Sequence, residues 1–107
     1  MKCGCTNCKC EDCLCGPHAT FFDALGNHNR LLVVNTLRKK QKNVTEISSE
    51  TGLEQSAVSH ALTKLENAGI VRKEKDGKFR IYAIEENIDE LMHIVDNHVR
   101  VHCRGDA

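Results

Sequence analysis

Val44-Thr45-Glu46-Ile47-Ser48-Ser49-Glu50-Thr51-Gly52, then Leu53-Glu54, then Gln55-Ser56-Ala57-Val58-Ser59-His60-Ala61-Leu62-Thr63-Lys64-Leu65-Glu66-Asn67-Ala68-Gly69, carries two helices with a sharp turn between them. The first segment predicts a short helix stopped by Gly52, because glycine adopts the left-handed conformation that closes helices without steric cost. The second predicts a longer helix over about 55–68, with Val58, Ala61, Leu62 and Leu65 forming its buried stripe and Gly69 ending it. Two helices joined by a three- or four-residue turn containing glycine make a helix-turn-helix.

Downstream, Ile70–Lys75 and Lys78–Ile84 read as strands, the second alternating Phe79, Ile81 and Ala83 against Lys78, Arg80 and Tyr82. Asp76-Gly77 between them is a strong hairpin signal. A last helix, over about 87–102, carries Ile88, Leu91, Met92, Ile94, Val95, Val99 and Val101 on more than one face. So apolar a terminal helix is more easily buried against a partner than left on a monomer surface. Upstream, Phe21, Phe22 and Leu25 mark a short helix closed by Gly26. A further helix over about 27–40 carries Leu31, Leu32, Val34 and Leu37, and its basic last turn, Arg38-Lys39-Lys40, complements the helix dipole. The fold class is therefore mainly α (α+β): a winged helix-turn-helix with a β-hairpin wing and a C-terminal dimerisation helix.

Bulk composition agrees. The chain has 107 residues, enough for one domain plus a tail, and three Phe, one Tyr and no Trp require an aliphatic core. Fifteen basic and fifteen acidic residues cancel, so a uniformly basic surface is excluded and any DNA-binding face must be a local patch. The patch is present: Arg72, Lys73, Lys75, Lys78 and Arg80 outnumber Glu74 and Asp76 in the hairpin. Standing alone, such a hairpin is more simply a solvated charged loop. Directly after a helix-turn-helix it suits phosphates or a minor groove. On the exposed face of the second helix, Gln55, Ser56, Ser59, His60 and Lys64 are polar or cationic groups suited to base edges in a major groove. No stretch has the length of a membrane span, and Lys2 is followed by no apolar h-region, so neither a membrane anchor nor a secretory signal is expected.

The first seventeen residues differ in kind. Six of the seven cysteines lie there as Cys3/Cys5, Cys8/Cys10 and Cys13/Cys15, a Cys-x-Cys pair every five residues, ahead of Gly16-Pro17. Bridges within such pairs would be strained, the total is odd, and nothing indicates export, so reduced cytoplasmic thiols are expected. Each spacing lets two sulfurs reach one ion or bridge two. Soft thiolates select Cu(I), Zn(II), Cd(II), Hg(II) and trivalent arsenic or antimony. Six can hold a compact Cu(I) cluster, a Zn or Cd tetrahedron with ligands to spare, or two trigonal arsenic sites. The organisation expected is a metal-binding tail over 1–17 and a DNA-binding, dimerising domain over 18–107. The bland alternative is a storage tail without regulatory role.

Residues 22–32 (Phe22-Asp23-Ala24-Leu25-Gly26-Asn27-His28-Asn29-Arg30-Leu31-Leu32), residues 57–71 (Ala57 to Val71) and the wing Lys75-Asp76-Gly77-Lys78-Phe79-Arg80-Ile81-Tyr82 resemble the arsenic-repressor (ArsR/SmtB) family of metal-sensing repressors. The likeness runs over about 18–103. It implies a homodimer paired through the first and last helices, with operator DNA bound in the unliganded state and released when an inducer, usually a metal ion, binds.

The family often pairs N-terminal thiols with a Cys-x-Cys in the helix before the recognition helix. Here that helix reads Val44-Thr45-Glu46-Ile47-Ser48-Ser49, so the tail has to bind unaided, unless Cys103 or His18 contributes. Family zinc and nickel sensors place ligands on the last helix. By alignment from Tyr82, Glu86 matches an early acidic ligand and His102 a late one, while Ile88 stands where a histidine is expected. A possible second metal site is thus Glu86, His98, His102 and Cys103, the two histidines spaced i, i+4, with Asp89 or His93 available across a dimer. The competing reading is that these are surface histidines. A third possibility is a thiol-based redox regulator of the same fold, since clustered thiolates oxidise readily. Catalysis is not expected: there is no phosphate-binding glycine loop, no placeable Ser/His/Asp set and little chain for a cleft.

Overall fold

The computed structural model describes residues 15–102. The tail cysteines Cys3, Cys5, Cys8, Cys10 and Cys13, and Cys103, lie outside the described residues; of Cys15 only the backbone is described. The elements run α1 (Cys15–Leu25), α2 (His28–Lys39), α3 (Val44–Thr51), α4 (Gln55–Asn67), β1 (Val71–Asp76), β2 (Phe79–Ile84) and α5 (Glu86–His102). The architecture is a winged helix-turn-helix, mostly helical. Helix α1 starts at Cys15 rather than at His18, where the pattern changes. Pro17 falls in its first turn, where backbone N–H groups have no intrahelical acceptor and proline is tolerated.

Local chemistry sets each boundary. Asn27 caps α2, its side chain accepting from the Arg30 N–H at 3.1 Å. The Arg30 guanidinium then reaches back to the carbonyls of Ala24 (2.7 Å) and Asp23 (2.9 Å), closing the end of α1. Asn43 and Glu46 form a reciprocal capping box at the start of α3. Gly52, at φ 78°, ends α3 by donating its N–H to the Ser48 carbonyl. The turn that follows is pinned by the Ser48 hydroxyl on the Leu53 carbonyl at 2.6 Å.

The core is aliphatic, as the composition requires. Val33, Val34, Leu37, Ile47, Val58, Leu62, Leu65 and Ile70 are its innermost residues. The stripe on α4 lies where the sequence places it. On α2 the burial differs: Val33 is fully enclosed, while Leu31 and Leu32 are only half-buried. Helix α2 is the central element, packed against α1, α3, α4 and β2, so its apolar surface is broader than a single helical stripe.

β1 and β2 pair antiparallel from Val71↔Ile84 to Asp76↔Phe79, with Gly77 at φ 63° in the turn. Lys42 adds an isolated bridge to the outer side of β2, donating to the Tyr82 carbonyl at 3.0 Å and accepting from the Tyr82 N–H at 2.8 Å. Tyr82, on the supposed polar face of β2, is half-buried because that face, shared with Val71 and Ile84, packs against the core. Phe79, on the supposed apolar face, is exposed because the hairpin projects beyond the core. Helix α5 docks through Ile88 and Met92, which are buried, and reaches α2 as far along as Asp96, while every residue from Asn97 to His102 is exposed.

Candidate nucleic-acid interface

Helix α4 turns Val58, Ala61, Leu62 and Leu65 inward, which forces Gln55, Ser56, Ser59, His60, Thr63 and Lys64 onto the opposite, exposed face. Ser56, Ser59, Thr63 and His60 follow the i, i+3, i+4, i+7 spacing of one helical stripe. The Thr63 hydroxyl is partly occupied, donating to the Ser59 carbonyl at 3.0 Å. Glu54 caps α4 without a side-chain hydrogen bond, leaving the first-turn N–H groups without a side-chain cap.

The register divides the wing cations. Directly opposed residues share a face, so Lys73, Lys75 and Arg80 stand together, with Lys75 across from Arg80. Like charges so placed repel each other, and an anion between them relieves the repulsion. Lys78 is exposed in the turn. Arg72 is on the other face and is committed to the protein: its Nε donates to Glu74 Oε1 at 2.9 Å, one terminal nitrogen donates to the Ile84 carbonyl at 3.1 Å, and Glu85 lies 3.6 Å away. The hydrogen bond to Glu74 raises the guanidinium pKa above its ordinary value. All five basic positions singled out in the wing are exposed, and Arg72 also braces the base of the hairpin.

Two polar clusters behind this surface escaped the sequence reading. Lys42 is 4% exposed; its ammonium donates to the carbonyls of Thr36 (2.6 Å) and Lys40 (3.2 Å) and pairs with Glu50 at 3.4 Å. The Thr36 hydroxyl hydrogen-bonds the same carboxylate. Lys42 therefore caps α2, grips α3 and bridges to β2. On the far side of α2, Arg38 joins Asp96 of α5, with Asp89 at 3.5 Å from its Nε. The basic turn of α2 is thus more than a complement to the helix dipole.

On α5, the His98 and His102 rings lie 4.6 Å apart between centroids, both exposed. Glu86 is three turns or more earlier, about 18 Å along the axis at 1.5 Å per residue, so one protomer does not unite it with these histidines. His93 approaches Asp89 at 3.4 Å. Among the described residues, no group of three or more His, Cys, Asp or Glu is placed to hold a metal ion. None of the described helices is long and apolar enough to cross a membrane.

Comparison with known proteins places this geometry. The model of the arsR family of bacterial regulatory proteins matches residues 27–73, from the cap of α2 into β1. The crystal structure of Rv0081 from M. tuberculosis superposes with a TM-score of 0.77 at 30% identity, over 85% of this chain and 93% of that one. The chain belongs to the arsR family. As an arsR-family winged helix-turn-helix transcriptional regulator, it is also similar to the HTH-type transcriptional regulator NmtR of Mycobacterium tuberculosis, 36% identical over 66 residues, 62% of this chain. It is similar as well to the arsenical resistance operon repressor ArsR2 of Halobacterium salinarum, 32% identical over 78 residues, 71% of this chain. The chain spans 55% and 66% of the lengths of these two relatives. The fold alone is shared with the homodimeric winged helix-turn-helix domain Mb0332 of Mycobacterium bovis, at a TM-score of 0.82, 23% identity and 96% coverage of both chains. NmtR and Rv0081 both carry the name HTH-type transcriptional regulator.

Proposed function

We propose that this regulator is a cytoplasmic repressor that binds palindromic operator DNA as a homodimer and leaves it when a soft metal or metalloid ion binds the tail. The observation that carries the DNA half is the polar stripe of α4 followed directly by a wing with Lys73, Lys75 and Arg80 on one face. Gln55, Ser56, Ser59, His60 and Lys64 meet base edges and nearby phosphates; Lys73, Lys75, Lys78 and Arg80 meet phosphates, and Arg72 holds the wing in shape. The dimer reading is supported by α5, where the buried pair Ile88 and Met92 continues at 3–4 residue spacing into the exposed Val95 and Val99. Such a seam needs a second surface.

The metal half rests on the donor set, six closely spaced thiols at Cys3, Cys5, Cys8, Cys10, Cys13 and Cys15. These fit a thiophilic ion and would hold it; a bound ion supplies a cross-link between otherwise separate segments of the tail. The last of them opens α1, so an ion held by these thiols would be tied directly to a helix of the folded body. Linkage requires the ion to favour the DNA-free form, and tenfold release needs about 1.4 kcal/mol of that preference.

The test is anaerobic titration of the reduced chain with Cu(I), Zn(II), Cd(II) and As(III), following anisotropy of a labelled duplex from its own promoter. Release by one of these ions at defined stoichiometry, lost when all six tail cysteines become serine while apo binding persists, supports the reading. Unchanged release in the serine variant moves the ion to Glu86, His98, His102 and Cys103. Release by oxidant alone makes the tail a redox switch.

A further inference from the structure

Phe79 opens β2 immediately after the Gly77-Lys78 turn, and 64% of its surface is exposed. The residues packed on the core reach along β2 only as far as Tyr82 and Ile84, so the Phe79 ring adds nothing to the interior. An aromatic held in water at a hairpin tip is conspicuous in a chain with three Phe and one Tyr. Cations flank it in sequence but stand on the opposite face of the ladder. Lys78 precedes it, Arg80 follows it, and Lys75 is Arg80's partner across the ladder. The exposed carboxylate of Glu74, two residues along on Phe79's own face, is occupied by Arg72 at 2.9 Å. Asp76 is its register partner. The tip therefore presents an apolar ring on one face and the exposed cations Lys75 and Arg80 on the other, with the exposed Lys78 in the turn between them.

We propose that Phe79 is a DNA-contacting wedge that extends sequence preference to a base step outside the reach of α4. The inference rests on the DNA-binding reading above and deepens it. A minor groove about 6 Å wide admits a hairpin tip but not a helix. With Lys75, Lys78 and Arg80 on the flanking phosphates, the ring is carried against the sugars and into the edge of one step. Apolar side chains inserted there partly unstack the bases, at least cost at pyrimidine–purine steps. The regulator then prefers TA or CA over a stiff A-tract at that position without a hydrogen bond to any base.

The experiment uses the full-length reduced chain and duplexes from its own promoter carrying 2-aminopurine at successive steps, whose fluorescence rises on unstacking. Wild type is expected to raise the signal at one step on the outer flank of each half-site. F79A is expected to abolish that rise and weaken binding about tenfold, as loss of base–aromatic contact does, without changing the slope of affinity against salt. F79L, which keeps an apolar wedge, restores part of both signals. Thermal melting of F79A checks that removal of an exposed ring leaves the fold intact. Equal affinity and equal 2-aminopurine signals in wild type and F79A overturn the wedge while leaving DNA binding in place. A wild-type chain that binds none of the duplexes overturns both.

Discussion

Arg38 and Asp96 clasp α2 to α5 in an end-on pair, 2.6 Å between one terminal nitrogen and Oδ2 and 3.4 Å between the other and Oδ1. The guanidinium is 16% exposed and the carboxylate 40%. Its Nε is buried without a hydrogen-bond partner, since Asp89 stands at 3.5 Å. The pair is partly screened, so D96N is expected to destabilise the fold by only about 1 kcal/mol, the upper range for exposed pairs and the lower range for charge-assisted ones. Its larger effect falls on the angle at which α5 leaves the body. Urea unfolding reads the first effect, and the dimer dissociation constant from sedimentation reads the second. A D96N chain with unchanged dimerisation would show that the clasp does not set the helix angle.

Lys42 is the second tie. K42A removes the donor from the Thr36 and Lys40 carbonyls, the former well inside the protein, and a buried acceptor left unsatisfied costs about 1–3 kcal/mol. A loss of about 2 kcal/mol in urea unfolding is expected, with K42M losing less because it fills the same volume. A change under 0.5 kcal/mol in K42A would mean that water replaces the ammonium freely.

Acid should weaken the same region. The Thr36 hydroxyl, then Lys42, hold the Glu50 carboxyl below its ordinary 4.5. The hydrogen bond from Arg38 holds Asp96 below its ordinary 3.8. Both folded-state values are depressed, so the stabilisation is fully present above about pH 5 and disappears as pH falls through the folded values. Urea midpoints are expected to drop between pH 5 and 3, and to drop less in a T36V/D96N chain. An identical decline in that variant would assign acid sensitivity to other carboxylates.

The helix-turn-helix was legible because its signals are local. Gly52 stops α3 within its own segment, and Val58, Ala61, Leu62 and Leu65 repeat at the helical period. The hairpin was legible for the same reason, through Asp76-Gly77. The partners of Arg38 and Lys42 were not. Asp96 lies 58 residues from Arg38, and the Tyr82 bridge joins segments with no shared periodicity. A lysine following Arg38-Lys39-Lys40 looks like one more surface charge until β2 covers it. The position of Arg72 was legible but its employment was not, because Glu74 and Glu85 converge on it only after the ladder forms. The tail thiols stand out in the sequence as candidate soft-metal donors by type and spacing, though five of the six lie outside the described residues. The last-helix candidates Glu86, His98 and His102 are not brought together within one protomer.

The division of the wing makes a quantitative prediction. If Lys75 and Arg80 each neutralise a phosphate, K75Q and R80Q should each lower the slope of log affinity against log salt by about 0.9 per phosphate lost, doubled in a symmetric dimer. R72Q should leave the slope nearly unchanged and instead lower the melting temperature, because its guanidinium serves Glu74 and the Ile84 carbonyl. Anisotropy titrations from low to moderate salt separate the three. An R72Q slope as shallow as that of R80Q would return Arg72 to the phosphate contacts.

The seam on α5 makes the last. Ile88, Met92, Val95 and Val99 recur at spacings of four, three and four, yet the first two are buried and the last two are 39% and 43% exposed. One continuous stripe thus begins inside the body and ends beyond it, while Ile94 and Val101, 68% and 60% exposed, lie on a different face of the helix. Burying apolar area on this scale against a second copy is the simplest way to remove it from water. V95E/V99E puts two carboxylates into that seam without touching the buried pair. The variant is expected to sediment as a folded monomer and to lose operator binding, because two half-sites are no longer engaged together. A V95E/V99E chain that remains dimeric would move the interface off this face of α5, and the exposed Phe22 of α1 would be the next apolar residue to substitute.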